Sequence, residues 1–257
     1  MRPAPLFSRA IVRLPGPDAG RGLTTAGLGS PDRSLLLEQH ASYVRTLRGL
    51  GLEVIVLDPA PGFPDAYFVE DTAVVLPELA VLAHPGAPSR RGEAPLIEPV
   101  LARYRKVIRV EPPGTLDGGD VLAVGSRFFI GLSARTNMEG AEQLGRILAG
   151  QGFSWSPVAV AGGLHLKSGV CALGDETLVI AGWLADNEAF RGDRKIVLPP
   201  GEEYAANSLW VNGSVLIPAG FPSVRRKLAR LGWPVIELET SEFRKMDGGL
   251  TCLSLRF

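Results

Sequence analysis

The alternation of apolar and polar residues predicts how the chain begins. Residues 8–14 (SRAIVRL) alternate as a strand with one buried face. The period of about 3.6 residues that follows is typical of a helix, and its apolar face carries Leu36, His40, Val44 and Leu47. Ser30 and Pro31 are the expected N-cap and first helical residue, and Gly51 is the expected stop. The run at 52–57 predicts a buried strand.

One pattern then repeats about every 40–50 residues: a polar or glycine turn, an apolar strand, a hairpin partner and often a helix. The turn-plus-strand units are 63–76, 115–124, 165–173, 205–211 and 247–255. Partner strands are predicted at 79–83, 106–110, 127–130, 178–181, 215–217 and 235–238, and helices at 92–104, 137–148 and 222–231. Five such units, with the end of the chain closing the first, predict a ring.

In a ring, the strands nearest the axis start at the same end, so the five polar turns should meet at one central mouth. The residues in equivalent positions are Asp71, Asp117, His165, Asn207 and Cys252. The alternative is that acidic turns are only a common way to start a strand. The glycine-rich segment 15–30 is long for a loop in a compact domain and is interpreted as a lid.

Composition narrows the class of protein. The 257 residues are 46% hydrophobic, which is enough apolar material for the core of one domain spanning 1–257, and the net charge is +0. The charge balance and 7% aromatic content argue against nucleic acid, and no apolar run is long enough to span a membrane. The two cysteines form no disulfide framework and no metal-ligand spacing. A cytoplasmic location is expected.

A thiol, a histidine and several carboxylates around one pocket favour thiolate catalysis. Carboxylates would repel the oxyanion formed from an ester or amide, but they suit a cationic guanidinium with several N–H donors. Arg90 and Arg135 could then bind a carboxylate at the other end of the substrate. For either arginine alone, the alternative is an ordinary surface residue.

Several motifs, in order along residues 7–257, resemble the dimethylarginine dimethylaminohydrolase family. They are FPDAYFVED (63–71), PGAPSRR (85–91), LDGGD (116–120), SARTN (133–137), LHLKS (164–168) and DGGLTC (247–252). The resemblance implies a five-bladed α/β propeller (the pentein fold) of pseudo-symmetric ββαβ repeats around a central active-site channel. It implies hydrolysis of dimethyl- or monomethylarginine to citrulline, without metal or cofactor. A homodimer is left open.

The resemblance also implies roles for individual residues. Cys252 is the nucleophile that forms a covalent thiouronium, His165 transfers protons, and Asp117 orients His165. Asp71 with Glu70 matches the pair that binds the guanidinium.

The remaining implied contacts lie along the rest of the substrate. Asp65 and two backbone carbonyls, those of Leu23 and Met246, match the site for the α-amino group. Arg90 and Arg135 match the clamp on the α-carboxylate. The residue beside the alkyl chain is Phe68.

Two other functions are open on sequence alone. An arginine deiminase-like enzyme or an amidinotransferase would use a similar thiol on another guanidine. A non-enzymatic binding protein on the same scaffold would need no intact Cys, His and Asp set. His40, His84 and Cys171 are predicted to be structural, and Asn207 to form a turn or a supporting hydrogen bond.

Overall fold

Five separate three-stranded sheets form the described part of this computed structural model, which covers residues 7–174 and 177–257. The strands are β1 (Arg9–Arg13), β2 (Glu53–Leu57), β3 (Ala73–Val75), β4 (Leu79–Leu82), β5 (Lys106–Arg109), β6 (Val121–Val124), β7 (Arg127–Leu132), β8 (Ser154–Ala159), β9 (Val170–Leu173), β10 (Thr177–Ile180), β11 (Arg194–Val197), β12 (Leu209–Val211), β13 (Ser214–Pro218), β14 (Val235–Leu238) and β15 (Leu255–Arg256). The helices are α1 (Arg33–Gly49), α2 (Glu93–Leu101), α3 (Met138–Gly150), α4 (Gly182–Ala185), α5 (Pro222–Arg230) and α6 (Ser241–Arg244).

Each sheet is a blade with the same topology. An inner strand pairs antiparallel with a middle strand, which pairs parallel with an outer strand across a helical connection, as in β3–β4–α2–β5. The first blade is completed by both ends of the chain, because β15 pairs antiparallel with β1 in the register Ala10↔Arg256 and Ile11↔Leu255. The predicted ββαβ repeat and the closure of the ring are therefore confirmed.

The apolar core lies between adjacent blades. One cluster joins Leu122 and Val124 of β6 to Val170 of β9 and to Leu178 and Ile180 of β10. Each side chain of this size stabilises the fold by about 1.5–3 kcal/mol when it is fully buried. Because every blade shares its apolar faces with its neighbours, the inner strands are held at fixed distances around the axis.

The first helix begins later than the sequence predicts. The N-cap is Asp32, whose side chain accepts a hydrogen bond from the Leu35 amide, so Pro31 lies outside α1. A carboxylate at this position satisfies an amide that would otherwise have no partner in the first turn. Gly51 follows the helix with a φ of +90°, a left-handed conformation that suits glycine and ends the helix near the predicted position.

Other differences concern strand and helix ends. The helix predicted at 92–104 is shorter, and α2 keeps Pro99 inside it. The sequence prediction missed β8 and β11. Cys252 does not begin a strand: it lies in a short 3-10 turn, Thr251–Leu253, and β15 begins at Leu255. None of the helices in the described residues is long and apolar enough to cross a membrane.

Candidate active site

A small pocket opens at the end of the axis where the inner strands begin. Its lining residues are Leu23, Asp65, Phe68, Asp71, Arg90, Arg135, Leu164, His165, Met246, Asp247, Gly248 and Cys252. The pocket lining therefore contains nine of the eleven residues that the sequence predicts, all except Asp117 and Glu70, together with Leu164, Asp247 and Gly248.

 Asp117 does not line the pocket, but it is connected to these nine residues through its hydrogen bond to the His165 ring. Glu70 lies elsewhere, below the thiol.

Cys252 sits at the base of the pocket in the 3-10 turn Thr251–Leu253. Its Sγ accepts one weak hydrogen bond, at 3.4 Å from the amide nitrogen of Gly249. Burial and the negative charges of Glu70 and Asp71 raise the pKa of the thiol to about 12. The free site therefore holds a protonated thiol, and a cation beside it would favour the thiolate.

His165 lies between two buried carboxylates. Its Nε2 is 2.9 Å from Oδ2 of Asp117, and its Nδ1 is 3.9 Å from Oδ1 of Asp71. Burial alone would lower the pKa of His165, but Asp71 and the hydrogen bond to Asp117 raise it to about 9. The imidazole is therefore a cation at neutral pH, able to donate a proton.

Asp117 is completely buried, and its contacts fix the position of the imidazole. Its Oδ1 accepts a hydrogen bond from the Gly86 amide at 3.0 Å. Nη1 of Arg135 lies 3.6 Å from its Oδ2 and has no hydrogen-bond partner among the described residues. A buried donor of this kind is costly unless a ligand satisfies it, so Arg135 is well suited to bind an anion in the pocket.

Asp71 is held from two sides. Its Oδ2 is 2.5 Å from Nη1 of Arg90, and its Oδ1 accepts a hydrogen bond from the Gly119 amide at 2.9 Å. Although burial opposes ionisation, His165 and Arg90 lower the pKa of Asp71 to about 2. A Cβ atom on Gly119 would lie 2.7 Å from both Asp71 Oδ1 and His165 Nδ1, so only glycine fits between them.

Arg90 lines the pocket but is already bonded to the protein. In addition to Asp71, its guanidinium donates to both carboxylate oxygens of Glu93 and to the carbonyl oxygens of Asp65 and Phe68. The sequence predicts that this arginine binds a substrate carboxylate. Most of its donors are instead used to hold neighbouring segments together.

Glu70 lies beneath the thiol instead of lining the pocket. It accepts hydrogen bonds from Lys167 at 2.6 Å, from the Thr251 hydroxyl at 2.6 Å and from Arg256 at 3.3 Å. The same group borders a second cavity of about 480 Å³, which the inner strands enclose farther along the axis. These ion pairs form the floor between the pocket and that cavity.

The predicted lid covers the pocket. Both carboxylate oxygens of Asp65 accept from the Leu23 amide, at 3.1 and 3.0 Å, and Asp247 accepts from the amide and hydroxyl of Thr25. Met246 is buried beside this contact. The space left in the pocket is about 20 Å³, little more than one water molecule requires, so in this conformation it is too small for a substrate.

The aromatic wall of the pocket packs against glycine. Phe68 is 5% exposed, and its ring centroid lies 4.1 Å from that of Tyr67. A Cβ atom on Gly248 would lie 2.2 Å from Cε1 of Phe68. The glycine pair 248–249 therefore lets the segment before Cys252 approach this ring closely.

Comparison with known proteins agrees with this geometry. A dimethylarginine dimethylaminohydrolase from Pseudomonas aeruginosa is 45% identical over 254 residues, which are 98% of this chain and 100% of that relative. A second from Streptomyces coelicolor is 39% identical over 251 residues, 96% of each. A solved structure of the Pseudomonas aeruginosa protein, a cysteine-to-serine mutant complexed with citrulline, has a TM-score of 0.96 over 98% of this chain and 100% of that chain. No protein-family model matches the chain.

The chain belongs to the dimethylarginine dimethylaminohydrolase family. Its similarity to the solved structure confirms the predicted pentein fold, the five-bladed α/β propeller.

Three residues of this dimethylarginine dimethylaminohydrolase family member were missed in the sequence analysis. Lys167 pairs with Glu70, Glu93 pairs with Arg90, and Asp120 accepts hydrogen bonds from the Leu166 amide and the Ser133 hydroxyl. Lys167 and Asp120 lie inside motifs that were recognised for other residues. The signal for Glu93 was its spacing of three residues from Arg90, which places both on the same side of a helical turn.

Asn207 plays the supporting part that the sequence predicts. Its Nδ2 donates to the Lys167 carbonyl at 3.0 Å, and its Oδ1 accepts from the Thr251 amide at 2.9 Å. It therefore joins the loop that follows His165 to the turn that holds Cys252. His40 and Cys171 are buried away from the pocket, and His84 does not line it.

One group of side chains could bridge a metal ion by distance alone. Asp71, Asp117 and His165 each place a possible ligand atom within 4.8 Å of the others. The imidazole is protonated at neutral pH, however, and Asp71 is paired with Arg90, so these residues already balance one another's charge. The expectation that the enzyme uses no metal stays a prediction.

Proposed function

We propose that this chain hydrolyses Nω,Nω-dimethyl-L-arginine and Nω-monomethyl-L-arginine to L-citrulline, with release of dimethylamine or methylamine. The main support for this proposal is a buried thiol beside a cationic imidazole and ionised carboxylates, in a member of the dimethylarginine dimethylaminohydrolase family. An excess of negative charge around a nucleophile suits a substrate that is itself a cation.

In the proposed first step, the guanidinium binds beside Cys252 and lowers the pKa of its thiol. The thiol proton passes to water, and the thiolate attacks the guanidinium carbon. The substrate therefore supplies part of the activation, which explains how a thiol with a pKa of about 12 can serve as a nucleophile.

His165 is proposed to act as an acid and then as a base. As a cation it donates a proton to the departing amine, and this leaves a thiouronium on Cys252. The neutral imidazole then takes a proton from water, which attacks the same carbon and expels the thiolate as citrulline forms. Asp117 keeps the ring oriented through both steps, because its carboxylate is fixed by the Gly86 amide.

The remaining residues are proposed to bind the substrate along its length. Asp71, with the negative charge of Glu70 below it, faces the guanidinium, and Phe68 flanks the alkyl chain. Arg135 binds the α-carboxylate, supported by its buried unpaired donor. The α-amino site is proposed to consist of Asp65 and the backbone carbonyls of Leu23 and Met246.

Arg90 is proposed to act mainly by holding Asp71 and the segment around Asp65 in place. Its bonds to Asp71 and Glu93 leave few donors for direct hydrogen bonds to the substrate. We therefore assign the larger part of carboxylate recognition to Arg135.

The decisive test is a citrulline assay of the purified protein with asymmetric dimethylarginine, monomethylarginine and arginine. We expect citrulline from the two methylated substrates, none with Cys252→Ser, and undiminished activity with the matched control Cys171→Ala, since Cys171 is buried in β9. A strong preference for arginine would instead indicate a deiminase. Activity that survives in Cys252→Ser would refute the thiolate mechanism.

Three wider proposals accompany this function. Residues 1–257 act as one catalytic domain, because residues from four of the five blades and their connections line one pocket. The enzyme works in the cytoplasm, where its two free cysteines stay reduced. It forms a homodimer, for which the outer strand β2 offers an edge with Val56 exposed. Light scattering of the protein as it elutes from a size-exclusion column would measure the mass of the assembly.

A further inference from the structure

Glu93, on α2, is a buried carboxylate to which neither the family motifs nor the proposed mechanism gives a role. It is 2% exposed. Its two oxygens accept from Nε of Arg90 at 3.1 Å each, and its Oε2 accepts from Nη2 at 2.7 Å. This arrangement fixes the plane of the Arg90 guanidinium.

The other side of Arg90 faces the pocket. Nη1 is 2.5 Å from Oδ2 of Asp71, and Nη2 donates to the carbonyl oxygens of Asp65 and Phe68. Glu93, Arg90 and Asp71 thus form a continuous buried chain that ends at the carboxylate proposed to face the substrate.

The charges along this chain explain why two carboxylates share one arginine. If Arg90 paired with Asp71 alone, its positive charge would cancel the negative charge that attracts a guanidinium. Glu93 balances Arg90, so Asp71 can be held rigidly and still present a net negative charge to the pocket. Interactions of this kind are strong because the site is buried and poorly screened.

We propose that Glu93 is a positioning residue that selects for a cationic substrate: it neutralises Arg90, so that Arg90 orients Asp71 without cancelling its charge. The inference rests on the proposed function, in which Asp71 faces the guanidinium. Glu93 touches no substrate and acts only through Arg90.

The surroundings of Glu93 set the conditions for a test. The charged groups that act on it are Arg90, Asp65, Asp71 and, from β1, Arg13. Burial raises the pKa of Glu93 to about 7, while Arg90 acts in the opposite direction. Kinetics should therefore be measured about one pH unit above this value, where most of Glu93 is ionised.

The test compares Glu93→Gln with Glu98→Gln, a control on the same helix whose carboxylate pairs with Arg109 at the surface. Two constants are measured for each variant: KM for dimethylarginine, a cation, and the inhibition constant of citrulline, whose side chain is neutral. In Glu93→Gln we expect KM to rise about tenfold or more, which matches one pKa unit of charge interaction. The citrulline constant should stay within about twofold of the wild type, and Glu98→Gln should behave like the wild type.

Two results would overturn the proposal: a folded Glu93→Gln variant with unchanged KM, or one in which KM and the citrulline constant rise together, as a loosened pocket requires. If Glu93→Gln does not fold, the double variant Arg90→Gln/Glu93→Gln removes Arg90 together with the carboxylate that balances it, and it leaves Asp71 beside His165, 3.9 Å away. In that double variant both constants should rise together, and wild-type constants would refute the idea. Failure of the proposed function is separate, because the wild-type protein would then release no citrulline.

Discussion

The hydrogen bond between His165 and Asp117 should set the alkaline limit of activity. Asp117→Asn removes one charge but keeps the shape of the side chain and an atom that can bond to Nε2, 2.9 Å away. A hydrogen bond to a charged partner contributes about 1.5–3 kcal/mol, which corresponds to about one to two pKa units. The pKa of His165, about 9 in the native site, should therefore fall by that amount.

The sign of the effect follows from the proposed role of His165. The imidazolium donates a proton to the leaving amine, so the rate falls as pH rises through its pKa. We expect the alkaline limb of the kcat/KM profile for dimethylarginine, which reports the free enzyme, to lie near pH 9 in the wild type and about one to two units lower in Asp117→Asn.

Rates of citrulline release across this range measure the limb directly. Asp186→Asn is a suitable control, because Asp186 is exposed and follows α4. If the limb stays in place in Asp117→Asn while the protein remains folded, then Asp117 does not hold the proton on His165, and the acid role of this imidazole fails with it.

Three other perturbations test the packing around the site. Gly248→Ala should cost about 1–3 kcal/mol of unfolding free energy in urea, because the new Cβ would overlap the Phe68 ring; a wild-type midpoint would contradict the observed contact. Asn207→Ala leaves the buried Thr251 amide unbonded, so kcat should fall more than KM rises and the free energy of unfolding should decrease by about 1–3 kcal/mol. An unchanged kcat would show that Asn207 does not help to position Cys252. Burial lowers the pKa of His40 to about 4, so as pH falls the unfolded state binds a proton before the native state does. Between pH 7 and pH 5 the wild type should therefore lose about 2 kcal/mol more stability than His40→Leu, measured by denaturant titration. Equal losses of stability in the two proteins would show that native His40 is not held neutral.

The sequence predicts the blades better than it predicts the contacts within the site. The turn-strand repeat is local, so it marks the inner strands and brings Asp71, Asp117, His165 and Cys252 to one end of the axis. β8 was missed because it is an exposed outer strand that contains Pro157 and lacks a clear apolar face.

Local patterns alone did not place Arg90 between two carboxylates, although Glu93 lies only three residues away. Its charge and the family resemblance suggested an anion clamp, whereas the structure shows it between Asp71 and Glu93. That arrangement depends on where α2 begins and on the approach of the segment around Asp65, which no single stretch of sequence determines. In the same way, Glu70 carries the charge expected of a substrate ligand, yet it forms ion pairs with Lys167 and Arg256, which are distant in sequence, below the pocket.

Activity should depend on the seam that closes the ring, which is the pairing of β15 with β1. β15 contributes only two residue pairs to β1, compared with six between β7 and β8. Cys252 lies just before this short strand, so fraying of the seam would displace the nucleophile while the other blades remained intact. Inactivation in mild denaturant should therefore precede the loss of secondary structure, and amide exchange should be fastest in the blade that bears the thiol.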